Sequence, residues 1–198
     1  MSESSIFGDI IFSIDFLKFL LSNNSFDEIQ DDSEEEIIKD LPLFVADAVL
    51  YPNVFMALAV DKEQDVNFLK DFEEQSSNFG VILCKNNKEL YTVGTVANVL
   101  KHFKLQGVNQ VLLKGLKKFE VISVRKDENS KIFADVKILK EPKVDINSKN
   151  YTAMAQAIKD VTTRLFDVLP SVHNEVKLVL TKDNNLSFYT YLLASGLN

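Results

Sequence analysis

The sequence predicts an α+β chain: a small curled β-barrel or curled sheet with one early helix, followed by an α-helical subdomain. Three observations predict it. Short apolar runs separated by turn residues fill positions 41–141, and after Pro142 the apolar period lengthens to three- and four-residue steps. The 198 residues, 46% of them hydrophobic and 26% charged, are also enough to bury a real core as one large domain or two small ones.

The first forty residues stand apart. They hold eleven acids against Lys18 and Lys39, so the net charge of −7 resolves into −9 on this arm and +2 on the remaining 158 residues. The run from Ile10 to Leu21 is apolar, and Asp15, Lys18 and Ser22 at i, i+3, i+7 leave one narrow polar stripe on a helix. Such a helix wants a partner surface, on its own domain or on another subunit. With no basic leader and too few apolar residues to span a bilayer, it is neither a secretory signal nor a membrane anchor. Asn23 to Asp40 reads as a solvated acidic linker. The predicted divisions are therefore 1–40, 41–142 and 143–198.

Within the β-rich part, Phe55–Val60 is a short apolar run. Asp61 then opens a helix with Gln64 as its capping-box partner, and Val66, Leu69 and Phe72 give that helix one apolar face. Phe79–Cys84 suits a strand buried on both faces. Gly107 divides the β-rich runs Tyr91–Leu105 and Val111–Leu113 as a hairpin turn would. Phe119–Val124 and Ile132–Leu139 flank the turn Asp127-Glu128-Asn129-Ser130, and Asp135 and Lys137 mark the wet face of the second run. Five to seven short strands are expected. Beyond Pro142, Met154, Ile158, Val161, Leu165 and Val168 recur as on a helix of about five turns, which Pro170 stops. A second helical stretch carries Val172, Val176 and Val179, and a third opens after Asp183 with Leu186, Tyr189 and Leu193. It runs almost to Asn198, as if the chain were cut from a longer one.

Two stretches carry more than pattern: LPLFVADAVLYP from Leu41 to Pro52, and YTVGTVANVLKHFKLQGVNQVLLKGLKKFEV from Tyr91 to Val121. Together they resemble the LON substrate-binding domain, the N-terminal domain of bacterial ATP-dependent Lon proteases. The matching positions are Leu41, Pro42, Tyr51 and Pro52, then Gly94 in Val93-Gly94-Thr95-Val96, and Gly115 and Phe119 in Leu113–Phe119. The resemblance extends over residues 41–198. Ala57, Asp61 and Lys118 depart from it, standing where the family often has proline, glycine and arginine. In physical terms Gly94 should permit a close backbone approach and Gly115 a bend or bulge. Pro52 should lock a turn, and Tyr51 and Phe119 should be core aromatics.

The resemblance implies a PUA-like barrel and a non-catalytic chain that recognises unfolded or damaged proteins and helps assemble a homohexameric, cytoplasmic parent. That parent would be an ATP-dependent serine endopeptidase, with ATP and Mg bound by an ATPase module outside this chain. The chain itself carries no GxxxxGK[ST] and no GxSxG, so no cofactor is expected in it. Its single cysteine, Cys84, sits in an apolar run where inert packing is expected, and it excludes a disulfide framework. His102, expected to be exposed or partly covered on a strand, and the distant His173 offer no metal spacing. The candidate substrate-binding surface combines Val54, Phe55, Met56 and Leu58 with the helix bearing Phe68, Leu69 and Phe72, because Met and Phe adapt to varied peptides. Two alternatives compete: a stand-alone LON-domain adaptor, and a PUA-like nucleic-acid module. The second draws on nine basic residues between Lys85 and Lys126 against Glu89 and Glu120, among which few rings are available for stacking bases.

Overall fold

This computed structural model describes residues 35–85, 89–105, 107–141, 145, 147–168 and 186–195. The predicted arm helix, Pro170, His173 and the stretch with Val172, Val176 and Val179 lie outside them. The described elements run β1 (Ile37–Ala46), β2 (Phe55–Val60), α1 (Glu63–Gln75), β3 (Phe79–Lys85), β4 (Glu89–Leu105), β5 (Val108–Lys126), β6 (Ile132–Ile138), α2 (Lys149–Val168) and α3 (Leu186–Ser195). The chain divides into two compact units with a boundary between Glu141 and Pro142: β1–β6 and α1 belong to one, and α2 with α3 as far as Leu193 to the other.

The six strands form one mostly antiparallel sheet in the order β2-β5-β4-β3-β1-β6, with β1 and β3 its parallel pair. β6 pairs with β1 along one edge and with β5 along the other, so the strands β1, β3, β4, β5 and β6 close into a ring. Six strands fall within the expected five to seven, but β4 and β5 are longer than the broken apolar runs suggest. Val111–Leu113 and Phe119–Val124 are one 19-residue strand, β5, whose first half holds β2 and whose second half holds β6. Lys114, Lys117 and Lys118 interrupt the apolar letters between the two runs, which hides the strand's continuity from a hydrophobicity scan.

Alternation along β1 sends Leu41 and Leu43 into one core and Phe44 and Ala46 into another. The first core gathers Leu41, Leu43, Ile82, Val96, Phe119, Ala134, Val136 and Ile138. The second lies under α1 and gathers Val66, Leu69, Phe79, Val81, Ala97, Val99, Val111 and Leu113 with neighbours from β1 and β2. The Phe119 ring, 0% exposed, fits because Gly80 and Gly94 flank it; a methyl on Gly94 would also come within 2.6 Å of the Val81 carbonyl. Gly115 sits where β5 slips register against Thr95 and Ala97. There its N–H donates to the Val54 carbonyl and its carbonyl accepts from Asn53, both at 2.9 Å. Pro52 lies in the crossing turn beside half-buried Tyr51, and Val54 N–H donates back to the Tyr51 carbonyl.

Three expectations are corrected. β1 begins at Ile37, inside the stretch read as linker, and its acids are engaged: Glu35 with Lys137 at 2.5 Å, Glu36 with Lys117 at 2.8 Å and Asp40 with Arg125 at 2.6 Å. α1 starts at Glu63 with Lys62 at its N-cap and no side-chain cap, so Asp61 and Gln64 form no capping box. Glu63 and Asp65 in its first turn complement the helix dipole instead. On α2, Met154 and Val161 are 59% and 57% exposed while Thr162 is buried. Thr162 can face inward because its hydroxyl donates to the Ile158 carbonyl at 2.8 Å and so carries its own partner. The α2 start is set by Ser148, whose hydroxyl accepts from the Tyr151 N–H.

Candidate functional site

The candidate surface residues do not stay together. Alternation on β2 turns Met56, Leu58 and Val60 toward α1, whereas Phe55 faces the other way, its ring 5.9 Å from the Lys114 ammonium. Val54 and Leu69, at 5% and 0% exposure, are core residues and leave the predicted surface. Leu69 is at the centre of the α1 stripe, and Val54 is held where its carbonyl meets Gly115. What remains is a half-buried group: Phe68 and Phe72 from α1 with Met56 and Leu58 from β2, packed over Phe79.

Phe44 of β1 joins them. Ring centroids lie 4.7 Å apart for Phe68–Phe72, 6.0 Å for Phe44–Phe68 and 5.1 Å for Phe72–Phe79, so four rings form one continuous apolar group. Sequence reasoning missed Phe44, although the signal was present: it alternates out of phase with Leu41 and Leu43 and so must face the opposite side. Beside it opens a half-enclosed groove of about 360 Å³ between Phe44–Ala46 of β1 with Asp47 just after it, Leu58–Val60 of β2 with Asp61 and Lys62 beyond it, Asp65 of α1, and Leu83 and Cys84 of β3. Cys84 is thus half-exposed on a groove wall rather than sealed in the core: it still pairs with Leu90 of β4, but the pairing of β3 with β1 ends one residue earlier, at Leu83.

His102 occupies a defined place. Its Nδ1 donates to a carboxylate oxygen of Glu73 on α1, and its backbone N–H donates to the other oxygen at 3.2 Å. The imidazole is only 14% exposed, so this pair fastens α1 to β4. A separation of 29 residues put the partner beyond any motif. Much of the basic stretch is also engaged. Lys117 and Arg125 meet Glu36 and Asp40, Lys118 meets Glu141 at 2.9 Å, and Arg125 lies 4.4 Å from the centre of the Phe133 ring. Among the described residues no group of three His, Cys, Asp or Glu side chains is placed to hold a metal ion, and no helix is long and apolar enough to cross a membrane.

Comparison with known proteins finds the family described as the ATP-dependent protease La (LON) substrate-binding domain, matched over residues 40–198. The chain is 26% identical over 174 residues to a Lon protease of Cytophaga hutchinsonii, covering 83% of this chain and 21% of that protein. It is 28% identical over 158 residues to a Lon protease of Amoebophilus asiaticus, covering 76% and 19%. It thus spans about a fifth of the length of these relatives. Among solved structures, a Lon N-terminal domain protein from Xanthomonas campestris matches with TM-score 0.55 at 22% identity, over 79% of this chain and 98% of that one. The N-terminal domain of a Mycobacterium avium complex Lon protease matches with TM-score 0.63 at 12% identity, over 78% and 81%. At these identities the structures speak for the fold.

Proposed function

The chain belongs to the LON substrate-binding domain family, and from that premise we propose that it is the recognition module of a cytoplasmic Lon protease, capturing unfolded or damaged proteins and helping a homohexameric parent assemble. On this reading the closed strand ring is the PUA-like barrel, residues 143–198 are its helical subdomain, and ATP, Mg and peptide hydrolysis belong to modules outside the chain.

The observation that carries the reading is the half-buried group of Phe44, Phe68 and Phe72 with Met56 and Leu58. These side chains are held by the core yet keep surface toward solvent. Rings and a thioether can then accept varied apolar segments without large ordering cost. The nucleic-acid alternative loses support because Lys117, Lys118 and Arg125 already face carboxylates.

The test is binding of the 198-residue chain to a dye-labelled model protein, reduced and alkylated so that it stays unfolded, followed by fluorescence anisotropy. Binding to the unfolded form and not to its native counterpart is expected. Phe68→Ser should weaken it several-fold while the circular dichroism spectrum stays native. If the unfolded protein is not bound at any reachable concentration, the reading is wrong.

A further inference from the structure

The groove beside Phe44 is bordered by two strand edges. Beyond Leu43, β1 pairs only with β3 among the described residues, since β6 leaves it at that point. Among the described residues β2 likewise pairs only with β5. Among those residues one edge of each strand is therefore without a strand partner, and such an edge can pair its backbone N–H and C=O groups with an extended segment. Phe44, Leu58 and Leu83 line the space between them, and its rim carries Asp47, Asp61 and Asp65 against Lys62 alone.

We propose that this groove takes an extended peptide segment in which an apolar side chain is flanked by lysine or arginine, a narrower class than unfolded protein at large. The proposal rests on the recognition reading above and names the chemistry of its ligand. Each feature selects one part of that ligand. Strand edges pair with any extended backbone, which gives affinity without sequence preference. The floor accepts the apolar side chain. Asp61 and Asp65, at the end of β2 and in the first turn of α1, attract a basic flank and repel an acidic one. An acid-flanked segment would bring like charges to the rim and be rejected.

The experiment uses the whole 198-residue chain and dye-labelled peptides that share one apolar centre and differ only in Lys, Gln or Glu flanks. At low salt the Lys-flanked peptide should bind about three- to tenfold more tightly than the Glu-flanked one, the range expected of a few exposed charge pairs. D61K/D65K should invert that order and leave the Gln-flanked peptide unchanged. Bound peptide should also slow maleimide labelling of Cys84, the chain's single cysteine, which lines the groove. Should D61K/D65K fail to fold, D61K alone, at an exposed position, decides. An order of affinities untouched by these substitutions, or a Cys84 that labels at the same rate with peptide bound, overturns the proposal. If unfolded protein still binds in that case, the recognition reading survives and only the groove is wrong; if nothing binds, both fall.

Discussion

Gly115 carries a hydrogen where a methyl would lie 2.9 Å from the Tyr51 carbonyl carbon and nearer still to its oxygen. Backbone cannot retreat as a flexible side chain can. Gly115→Ala should therefore cost about 1–3 kcal/mol or more, seen as a lower urea midpoint at unchanged slope. Gly107, with φ +86 and no atom within 4 Å of an added Cβ, has space but the wrong dihedral, so Gly107→Ala should cost about 1 kcal/mol. Electrostatics at this scale are modest. The hydrogen bond and charge of Lys137 hold the Glu35 carboxyl below its ordinary value. A lowered folded value means the pair contributes above the unfolded carboxylate range and is lost as pH falls through the folded one. An NMR titration should show the Glu35 midpoint rise toward normal in Lys137→Ala; an unmoved midpoint would sever the pair. Gly94 and Gly115 were legible as motif residues, but their neighbours, Val81 and Tyr51, were not, because close approaches are made across the sheet rather than along the chain.

Among the elements, α1 was read well through its middle and poorly at its start. Val66 and Leu69 are buried and Phe72 half-buried, as the spacing requires, but the helix begins one residue later than its capping signal suggests. The same element separates stability from recognition. Leu69→Ala empties a fully buried position and should cost about 2–5 kcal/mol in equilibrium unfolding. One residue earlier, Phe68→Ser should act mainly on capture of unfolded protein. If the two variants lose binding in proportion to their loss of stability, α1 is only scaffold. β2 shows why a run of apolar letters is not a surface: period two sends Phe55 and Met56 to opposite sides. On α2, periodicity named Met154 and Val161, yet a threonine that satisfies its own hydroxyl took an inward place.

For the molecule as a whole, the strands were legible one by one and their neighbours were not. Alternation assigns a face to each residue but says nothing of which strand lies beside which. The parallel β1–β3 pair and the closure by β6 are therefore findings of the structure. They also set the folding rate. The Asp40 N–H donates to an Asp135 carboxylate oxygen 95 positions away, so joining β1 to β6 closes a long loop at an entropic cost. Refolding should then take milliseconds to seconds rather than microseconds. Stopped-flow circular dichroism is the appropriate probe, since the chain has no tryptophan. A sub-millisecond single phase would contradict it.

β5 is shared by three partners: β2 on its first half, β6 on its second and β4 along most of its length. Inserting or deleting one residue within it would turn side chains inside out against several neighbours simultaneously. Length changes inherited by this lineage should therefore collect in the connections, at Gly107 and at Asp127–Ser130, while the strand between them keeps its count even as its letters drift.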